Sequence, residues 1–336
     1  MDTSTNVTTQ ITSIGNNTSP SFSADGTKVF YTTDRNGTSE QYFAPVTGGT
    51  EYPAVSSSNL FAVGDSLTFG VGSSGGGYPA QLSALLNNRT YVNVGVGGQT
   101  STQIAARIGA ESSTMTLDNN AIPSSGPVNA SNLSTSLLST PADDVTRSVP
   151  GTICSVHGVL ERTAAGGPPS TSETYTFTRD TTGQAVACSA GSSFVADAQG
   201  YDTWTALIWV GRNNYTNATT VVADAKAIVN WLKPYTTHFA VLSVIKGEYS
   251  YEYAGQPGAQ QIDELNATLK STFPDNFIDV ESALVSSYNP SLTQDVQDHA
   301  NNIPPTSLRS DTVHLNDAGY AIVAQQVKSF LTSKNW

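Results

Sequence analysis

Charged residues are scarce in this chain, and most of those present are acidic. Asp, Glu, Lys and Arg make up 12% of its 336 residues, about half the share that is usual in soluble domains. The formal net charge of −12 argues against nucleic acid or an anionic membrane surface as a partner, because both repel an acidic protein. It fits a neutral substrate, and the 38% of hydrophobic residues argues against disorder.

Long apolar runs are also missing. No stretch reaches the roughly 20 residues that a membrane-spanning helix needs, so we expect no membrane span. The first ten residues are polar and show neither the basic nor the apolar region of a signal peptide. We favour an extracellular, cell-surface or virion-associated protein, and a cytoplasmic one stays open. The oligomeric state is open as well.

Cysteine is nearly absent, since Cys154 and Cys188 are the only two. A disulfide that closes this loop would contribute about 3–4 kcal/mol through chain entropy, and two buried free thiols are an equal alternative. Neither residue has a Cys or His partner at the spacing of zinc ligands. We therefore expect no zinc site.

The N-terminal zone, residues 1–55, is rich in Thr, Ser, Asn and Gly. Short alternating pieces at 28–32 and 41–43 are separated by turn signals at 24–26, 35–37 and 48–49, which predicts a few antiparallel strands. The segments 20–26 and 31–37, with the sequences PSFSADG and YTTDRNG, resemble one repeat of a TolB-type β-propeller. One repeat cannot close a propeller, so this zone packs on the next domain or is a remnant of a longer protein.

From residue 59 the pattern changes to strands that alternate with helices. Such alternation indicates a parallel sheet covered on both faces. The predicted strands are 59–64, 91–94, 204–210, 239–245 and 277–280. The predicted helices lie near 78–87, 101–108, 221–232, 258–272 and 316–333.

The alternation is interrupted between about 112 and 200, a stretch too long for a loop. This stretch holds both cysteines, the pair Pro168-Pro169 and a β-like alternation at 173–178. We interpret it as an inserted all-β subdomain. The predicted organisation is thus a small β segment at 1–55, an α/β domain at 56–111 and 201–336, and a β-rich insert at 112–200.

Four polar motifs occur in order along the α/β part. They are Gly64-Asp65-Ser66-Leu67, Gly97-Gly98-Gln99-Thr100-Ser101, Gly211-Arg212-Asn213-Asn214 and Asp311-Thr312-Val313-His314-Leu315-Asn316. Three of the four directly follow a predicted strand. Because ligands bind at the carboxyl ends of strands in open α/β sheets, we expect the four motifs to converge on one edge.

Each motif carries a group that acyl transfer needs. The Ser66 hydroxyl is a weak nucleophile that needs a base, and His314 can serve. Asp311, three positions earlier, can hold the other ring nitrogen and fix the tautomer. The backbone N–H groups of Ser66 and Gly98 and the amide of Asn213 are candidate oxyanion donors, each worth roughly 3–4 kcal/mol.

These four blocks resemble those of the GDSL, or SGNH, hydrolase family, whose name letters fall on Ser66, Gly98, Asn213 and His314. The resemblance covers 58–110 and 201–336. It implies a flavodoxin-like three-layer α/β/α sandwich in which Ser66 is the nucleophile, His314 the base and Asp311 its orienter. Ser66, Gly98 and Asn213 would form the oxyanion hole, and no metal or cofactor would be needed.

One position departs from the family pattern. The third block usually reads Gly-x-Asn-Asp, and here Asn214 stands in place of the aspartate. We expect activity to survive because the oxyanion asparagine is kept. What replaces the hydrogen bonding of the aspartate is open, and Asn214 also fits a plain helix cap.

Several other residues offer rival or unassigned roles. Ser74 lies in a Gly-x-Ser-x-Gly pattern, but a glycine-rich loop surrounds it instead of the strand and helix of a nucleophile elbow. His157, His238 and His299 have no matching partners, and His299, beside Asp298, is the only rival base. Tyr249, Tyr251 and Tyr253 fit a substrate loop or an ordinary packed loop. The loop 288–310 flanks the expected cleft without an assigned contact.

The resemblance implies a serine ester hydrolase that works through an acyl-enzyme intermediate. We favour a short acyl group, and an O-acetylated carbohydrate as substrate, because the β-rich insert is suited to glycan binding. A lipid or aryl esterase of the same family is one alternative. A non-catalytic glycan-binding virion or surface protein on the same scaffold is the other.

Overall fold

The computed structural model describes residues 11–12, 15–22, 28–34, 40–46, 52–53, 59–197, 201, 203–233 and 236–336. The described residues of the N-terminal zone contain four strands: β1 (Asn17–Phe22), β2 (Lys28–Thr33), β3 (Glu40–Pro45) and β4 (Tyr52–Pro53). They form one antiparallel sheet in sequence order, which confirms the predicted strands. The turn signals at 24–26, 35–37 and 48–49 lie outside the described residues.

The α/β part begins with a run of short elements that end at polar motifs. They are β5 (Leu60–Gly64), α1 (Ser66–Phe69), α2 (Gly77–Leu85), β6 (Tyr91–Asn93) and α3 (Ser101–Arg107). All five residues of β5 are buried, as expected of a strand that is covered on both faces.

The middle of the chain is built of strands alone, apart from one short helical turn. They are β7 (Ser113–Leu117), β8 (Ala121–Ile122), β9 (Pro127–Ser131), β10 (Arg147–Ile153), β11 (Val156–Ala165), β12 (Ser172–Arg179), β13 (Val186–Ala187) and β14 (Ser192–Ala196). Six of them close a barrel in the order β10-β11-β12-β9-β7-β14, and β8 pairs with β13. The alternation predicted at 173–178 is part of β12.

A disulfide ties the barrel together. Of the two alternatives left open for the cysteines, the structure shows the bond, with the Cα atoms of Cys154 and Cys188 5.6 Å apart. It joins the turn between β10 and β11 to the residue after β13. Inside the barrel, Phe177 and Phe194 pack edge to face with their ring centroids 6.3 Å apart.

The last part returns to the α/β pattern. Its elements are β15 (Thr205–Trp209), α4 (Ala218–Leu232), β16 (Phe239–Leu242), α5 (Pro257–Thr272), β17 (Phe277–Ile278), α6 (Val280–Ser286), α7 (Thr293–Ala300) and α8 (Asp317–Ser333). The five strands of this part and the earlier one form a parallel sheet in the order β17-β16-β15-β5-β6. Numbered along the chain this order is 2-1-3-4-5, that of flavodoxin-like sheets, with the switch point between β5 and β15.

Helices cover both faces of the sheet. Successive residues of a strand point to opposite faces, so neighbouring residues of β15 pack against different sets of helices. Ile208 packs with α3, α4 and α5 on one face, and its neighbour Leu207 packs with α2, α6 and α8 on the other. Burying each such side chain stabilises the fold by about 1.5–3 kcal/mol. The predicted parallel sheet between helices is confirmed. In the described part of the chain, no helix is both long and apolar enough to cross a membrane.

Two local predictions were wrong. The predicted strand 277–280 ends at Ile278, because Asp279 accepts a hydrogen bond from the N–H of Ser282 at 3.0 Å and so caps α6, which begins at Val280. The segment 288–310, expected to be a loop, contains α7. Asp295 of that helix accepts from the N–H of Asn289 at 3.0 Å.

Candidate active site

The turn at Ser66 follows directly from the sequence Gly64-Asp65-Ser66. A Cβ at Gly64 would lie 2.4 Å from the carbonyl oxygen of Trp209, so only glycine lets β5 approach β15 this closely. Asp65 caps α1, since its Oδ1 accepts from the N–H of Leu67 at 3.0 Å. Ser66 is therefore the first residue of a helical turn above the switch point of the sheet.

Ser66, His314 and Asp311 form a continuous chain of hydrogen bonds. His314 Nε2 lies 2.9 Å from Ser66 Oγ, and His314 Nδ1 lies 2.7 Å from Asp311 Oδ2. A carboxylate can only accept, so the ring proton belongs on Nδ1 and Nε2 is left to accept the proton of the serine hydroxyl. The three side chains have the arrangement of a nucleophile, a base and its orienter.

Asp311 shapes its own loop as well as holding the histidine. Its Oδ1 accepts from the backbone N–H groups of Val313 at 2.8 Å and His314 at 2.7 Å. Partial burial favours the neutral acid, but these two N–H groups and the His314 ring outweigh it, so the pKa of Asp311 lies below its usual range. The carboxylate is thus kept ionised beside the His314 ring.

Arg309, for which the sequence predicts no contact, anchors the loop that carries Asp311 and His314. Its guanidinium is buried and donates to Glu248 at 2.7 Å, to Asp298 at 3.1 Å and to the carbonyl oxygen of Asp311 at 3.1 Å. The one signal in the sequence is its place two residues before Asp311. Its partners come from segments 11 and 61 residues away, and no local pattern reveals them.

Gly98 is the second backbone donor predicted for the oxyanion hole. Its φ is +73°, and a Cβ there would lie 2.5 Å from Pro141 Cγ, so both the conformation and the close approach require glycine. Among the residues that the structure describes, no acceptor takes the N–H of Gly98 or of Ser66. Both donors are therefore available to a ligand.

Asn213 follows β15 and reaches the same place, but its amide is occupied. Its Nδ2 donates to the carbonyl oxygen of Gln99 at 2.9 Å and, more weakly, to Asp65 Oδ2 at 3.3 Å. Burial raises the pKa of Asp65 to about 6, against the opposing effects of the Leu67 N–H, Arg212 and His314. A carboxyl that the motif alone did not assign thus holds Asn213 beside Ser66.

Asn214 has a defined partner network. Its Oδ1 accepts from the backbone N–H of Ser101 at 3.1 Å, and its Nδ2 donates to Ser101 Oγ at 2.9 Å. Ser101 Oγ in turn donates to Asp224 Oδ2 at 2.5 Å. Asp224 of α4 supplies the carboxylate that accepts the Ser101 hydroxyl proton. The neutral amide of Asn214 can therefore donate an N–H to the same serine oxygen.

The rival residues are engaged elsewhere. Ser74 Oγ donates to Asp317 Oδ2 at 2.5 Å, and His299 Nδ1 lies 3.1 Å from the carbonyl oxygen of Val285. The ring of His238 stacks on Trp336 with the ring centroids 4.4 Å apart.

For His157 the expectation of no partner was wrong. Its ring lies between Asp180, hydrogen-bonded to Nδ1, and Asp197, which is 2.7 Å from Nε2. The barrel strands bring the three residues together from 23 and 40 positions apart. This set lies on the barrel and contains no nucleophile.

Aromatic side chains stand beside the histidine loop. Tyr249 and Tyr251 stack with their centroids 5.5 Å apart, and the Thr312 hydroxyl donates to Tyr249 Oη at 3.1 Å. The guanidinium of Arg212 lies 5.7 Å from the Tyr249 ring centre. The tyrosines therefore flank the site.

The structure thus brings together the five residues predicted for the site: Ser66, Gly98, Asn213, Asp311 and His314. Their arrangement suits nucleophilic attack with general-base assistance. Within the described ranges, no group of three or more His, Cys, Asp or Glu side chains could hold a metal ion.

Comparison with known proteins gives a partial likeness only. No family model matches the chain. Over 188 residues, 48% of this chain, it is 30% identical to the tail spike protein of Salmonella phage epsilon15, and the match covers 17% of that protein. The chain thus spans about a sixth of the length of the curated relative. The resemblance of the N-terminal zone to a propeller repeat finds no support in these comparisons.

Solved structures similar to this one include three with hydrolase names. A lipolytic protein of the G-D-S-L family from Veillonella parvula has a TM-score of 0.44 and 14% identity, covering 82% of this chain and 98% of its own. A GDSL-like lipase from Bacteroides thetaiotaomicron has a TM-score of 0.42 and 12% identity, covering 83% of this chain and 89% of its own. An acetylxylan esterase from Geobacillus stearothermophilus has a TM-score of 0.45 and 14% identity, covering 82% of this chain and 95% of its own.

Proposed function

We propose that this protein is a serine ester hydrolase that works through an acyl-enzyme intermediate. The observation that carries the proposal is the hydrogen-bonded chain from Ser66 Oγ through His314 to Asp311, with bonds of 2.9 Å and 2.7 Å. An alcohol nucleophile with its base in place, and that base held by an ionised carboxylate, is the arrangement that acyl transfer needs.

Acylation begins with attack of Ser66 Oγ on the ester carbonyl carbon. His314 Nε2 takes the hydroxyl proton, and Asp311 stabilises the imidazolium through the Nδ1–H. Negative charge develops on the carbonyl oxygen, toward the free N–H groups of Ser66 and Gly98. When the tetrahedral intermediate collapses, the C–O bond to the leaving alcohol breaks, and His314 returns the proton to that alcohol.

Asn213 would complete the oxyanion hole by a change of partner. Its 3.3 Å contact to Asp65 is the longer of its two hydrogen bonds, so the oxyanion replaces this contact while the bond to Gln99 is kept. Each such donor contributes about 3–4 kcal/mol to transition-state stabilisation. Deacylation then repeats the steps with water, activated by His314, in place of the serine hydroxyl.

The acyl group is short in this proposal, and the substrate is an O-acetylated carbohydrate. A Cβ at Gly97 would lie 3.8 Å from Ser66 Cβ and 3.1 Å from Ala142 Cβ. Ala142, a residue of the β-rich stretch, is therefore separated from Ser66 only by Gly97. Gln99 Nε2 also donates to the carbonyl oxygens of Leu137 at 2.9 Å and Ser139 at 3.1 Å. This wall limits the acyl chain and offers a surface to a glycan.

The organisation of the chain is part of the proposal. The segment 1–55 would be a small β unit, 56–111 with 201–336 the SGNH hydrolase domain, and 112–200 the insert that lines the site. The likeness to a tail spike protein supports a virion-associated location outside the cell. Small esters or acetylated glycans would be its ligands, without a cofactor.

Hydrolysis of p-nitrophenyl acetate tests the proposal. In Ser66→Ala we expect kcat to fall by about 10⁴-fold or more, while Ser74→Ala keeps activity because the Ser74 hydroxyl only donates to Asp317. Ester hydrolysis that survives in Ser66→Ala contradicts the mechanism. Chain-length dependence over acetate, butyrate and octanoate esters separates a short-chain esterase from a lipid esterase.

The second candidate is a non-catalytic glycan-binding protein on the same scaffold. The match to a tail spike protein is the observation that favours it. It predicts measurable glycan binding with no release of acid from any acyl ester or acetylated polysaccharide. The intact hydrogen-bond chain of Ser66, His314 and Asp311 favours the enzyme.

A further inference from the structure

A cavity of about 430 Å³ lies between the edge strand β6 and strand β10 of the barrel. Its volume falls in the range of small-ligand sites. None of Ser66, Asp311 and His314 lines it. Its lining includes Phe69, Gly95, Arg107, Arg147 and Asp197.

The cavity adjoins the nucleophile. Phe69, on its wall, is the last residue of α1, and Ser66 is the first. Gly95, also on the wall, packs under the same turn, since a Cβ there would lie 2.8 Å from the carbonyl oxygen of Asp65. A ligand in contact with Phe69 would therefore lie one helical turn along α1 from Ser66.

Arg107 brings an uncompensated positive charge to this cavity. Its Nε donates to Gln99 Oε1 at 2.8 Å, and its Nη2 is buried with no acceptor in the part of the chain that the structure describes. Burial, and then the charge of Arg147, lower the pKa of Arg107 to about 10. The guanidinium thus remains charged at neutral pH.

The other charged groups of the cavity do not neutralise Arg107. Arg147 Nη2 pairs with Asp143 at 2.6 Å, while its buried Nε has no acceptor among the described residues. Asp197, the carboxylate on the wall, lies 2.7 Å from Nε2 of His157. In a chain of net charge −12, two guanidiniums line one small cavity.

We propose that this cavity binds the carboxylate-bearing sugar of an acidic glycan, beside the acylated sugar at Ser66. A planar carboxylate matches the donor geometry of a guanidinium better than a hydroxyl does. Phe69, which is 59% exposed, offers a flat apolar surface to the C–H face of the same sugar. The inference rests on the proposed function, since it names the class of glycan that the esterase acts on.

Calorimetric titration of the Ser66→Ala variant tests this inference without catalysis. The probes are trigalacturonic acid and its methyl ester, which have the same sugar rings but differ in charge. We expect the acid to bind about tenfold more tightly, or better, from one charge-assisted contact. Adding Arg107→Gln should reduce this preference to about twofold or less, since only a neutral amide remains. Adding Lys270→Gln, an equal charge change at an exposed residue of α5, should keep it.

Equal affinity for the acid and its ester, no binding of either, or a preference that persists in the Arg107 variant would overturn the inference. The comparison of the two probes in the Ser66→Ala parent needs no second substitution, so misfolding of the Arg107 variant cannot mask the result. Hydrolysis of p-nitrophenyl acetate by the unaltered chain separates the two proposals. A chain that hydrolyses this ester without preferring the acid loses the glycan inference alone.

Discussion

The buried carboxyl of Asp65 makes the stability of the protein depend on pH in a direction opposite to that of most carboxylates. Asp65 is 1% exposed, and burial raises its pKa from 3.8 to about 6. The folded state therefore binds this proton more tightly than the unfolded state does. The resulting stability is fully present below pH 3.8 and is lost as the pH rises through 6.

The size of the effect follows from the two pKa values. A shift of about two units corresponds to about 3 kcal/mol between the acid and alkaline limits. Between pH 4.5 and 7.5 the part that is lost amounts to about 2 kcal/mol, because the unfolded state is already mostly ionised at pH 4.5. Asp65→Asn removes the titration, although it also replaces the acceptor of the Asn213 amide by a donor.

Urea unfolding of both proteins at pH 4.5 and 7.5, followed by tryptophan fluorescence, measures this effect. Trp209 is buried in β15 and reports on the sheet. The lost hydrogen bond lowers the stability of the variant at both pH values, and all other carboxyls titrate alike in the two proteins. The wild type should therefore lose about 2 kcal/mol more than Asp65→Asn on going to pH 7.5. An equal pH dependence in both proteins would refute the reasoning.

Two further substitutions test the supports of the site. Asn214→Asp places two carboxylates on the single Ser101 hydroxyl proton, so thermal unfolding should show a loss of stability of about 1–3 kcal/mol. Adding Asp224→Asn should restore part of this stability. A double variant as unstable as Asn214→Asp would contradict the network. Arg309→Met leaves Asp298 buried without its cation, and urea unfolding should show a loss of about 3–5 kcal/mol. Its kcat on p-nitrophenyl acetate should also fall about tenfold or more as the Asp311 loop loosens; unchanged stability would exclude the anchor role.

Much of the fold is visible in the sequence because its signals are local. The run at 60–64 is apolar throughout and ends in Gly-Asp-Ser, which predicts a buried strand that stops at a polar turn. Helical spacing of apolar residues likewise predicts α4 and α8. The closure of the barrel is not visible, since it depends on β9 pairing with β7 and β12 across long connections. Helix α6 was not predicted, because the run at 277–280 is typical of a strand. In the structure the strand ends at Ile278, and Asp279 caps the helix that begins at Val280.

The site, like the fold, has parts that the sequence predicts and parts that it does not. The motif order predicts that Ser66, Asp311 and His314 meet, because parallel strands share one edge, and Asp311 is close to His314 in sequence. The supports of these residues could not be predicted. Arg309 is held by Asp298 and Glu248 through long-range contacts, and the charge of Arg107 matters only because the barrel leaves a cavity beside it.

The most direct test of the central claim is to trap the acyl-enzyme. The protein is mixed with p-nitrophenyl acetate, quenched with acid during turnover and digested at low pH with pepsin, because cleavage after Phe69 separates Ser66 from Ser74 for mass spectrometry. We predict one added acetyl group on the peptide that contains Ser66, and none on the peptide that contains Ser74. Hydrolysis that proceeds with the acetyl group on another residue, or with no covalent adduct in any quenched sample, would contradict the account.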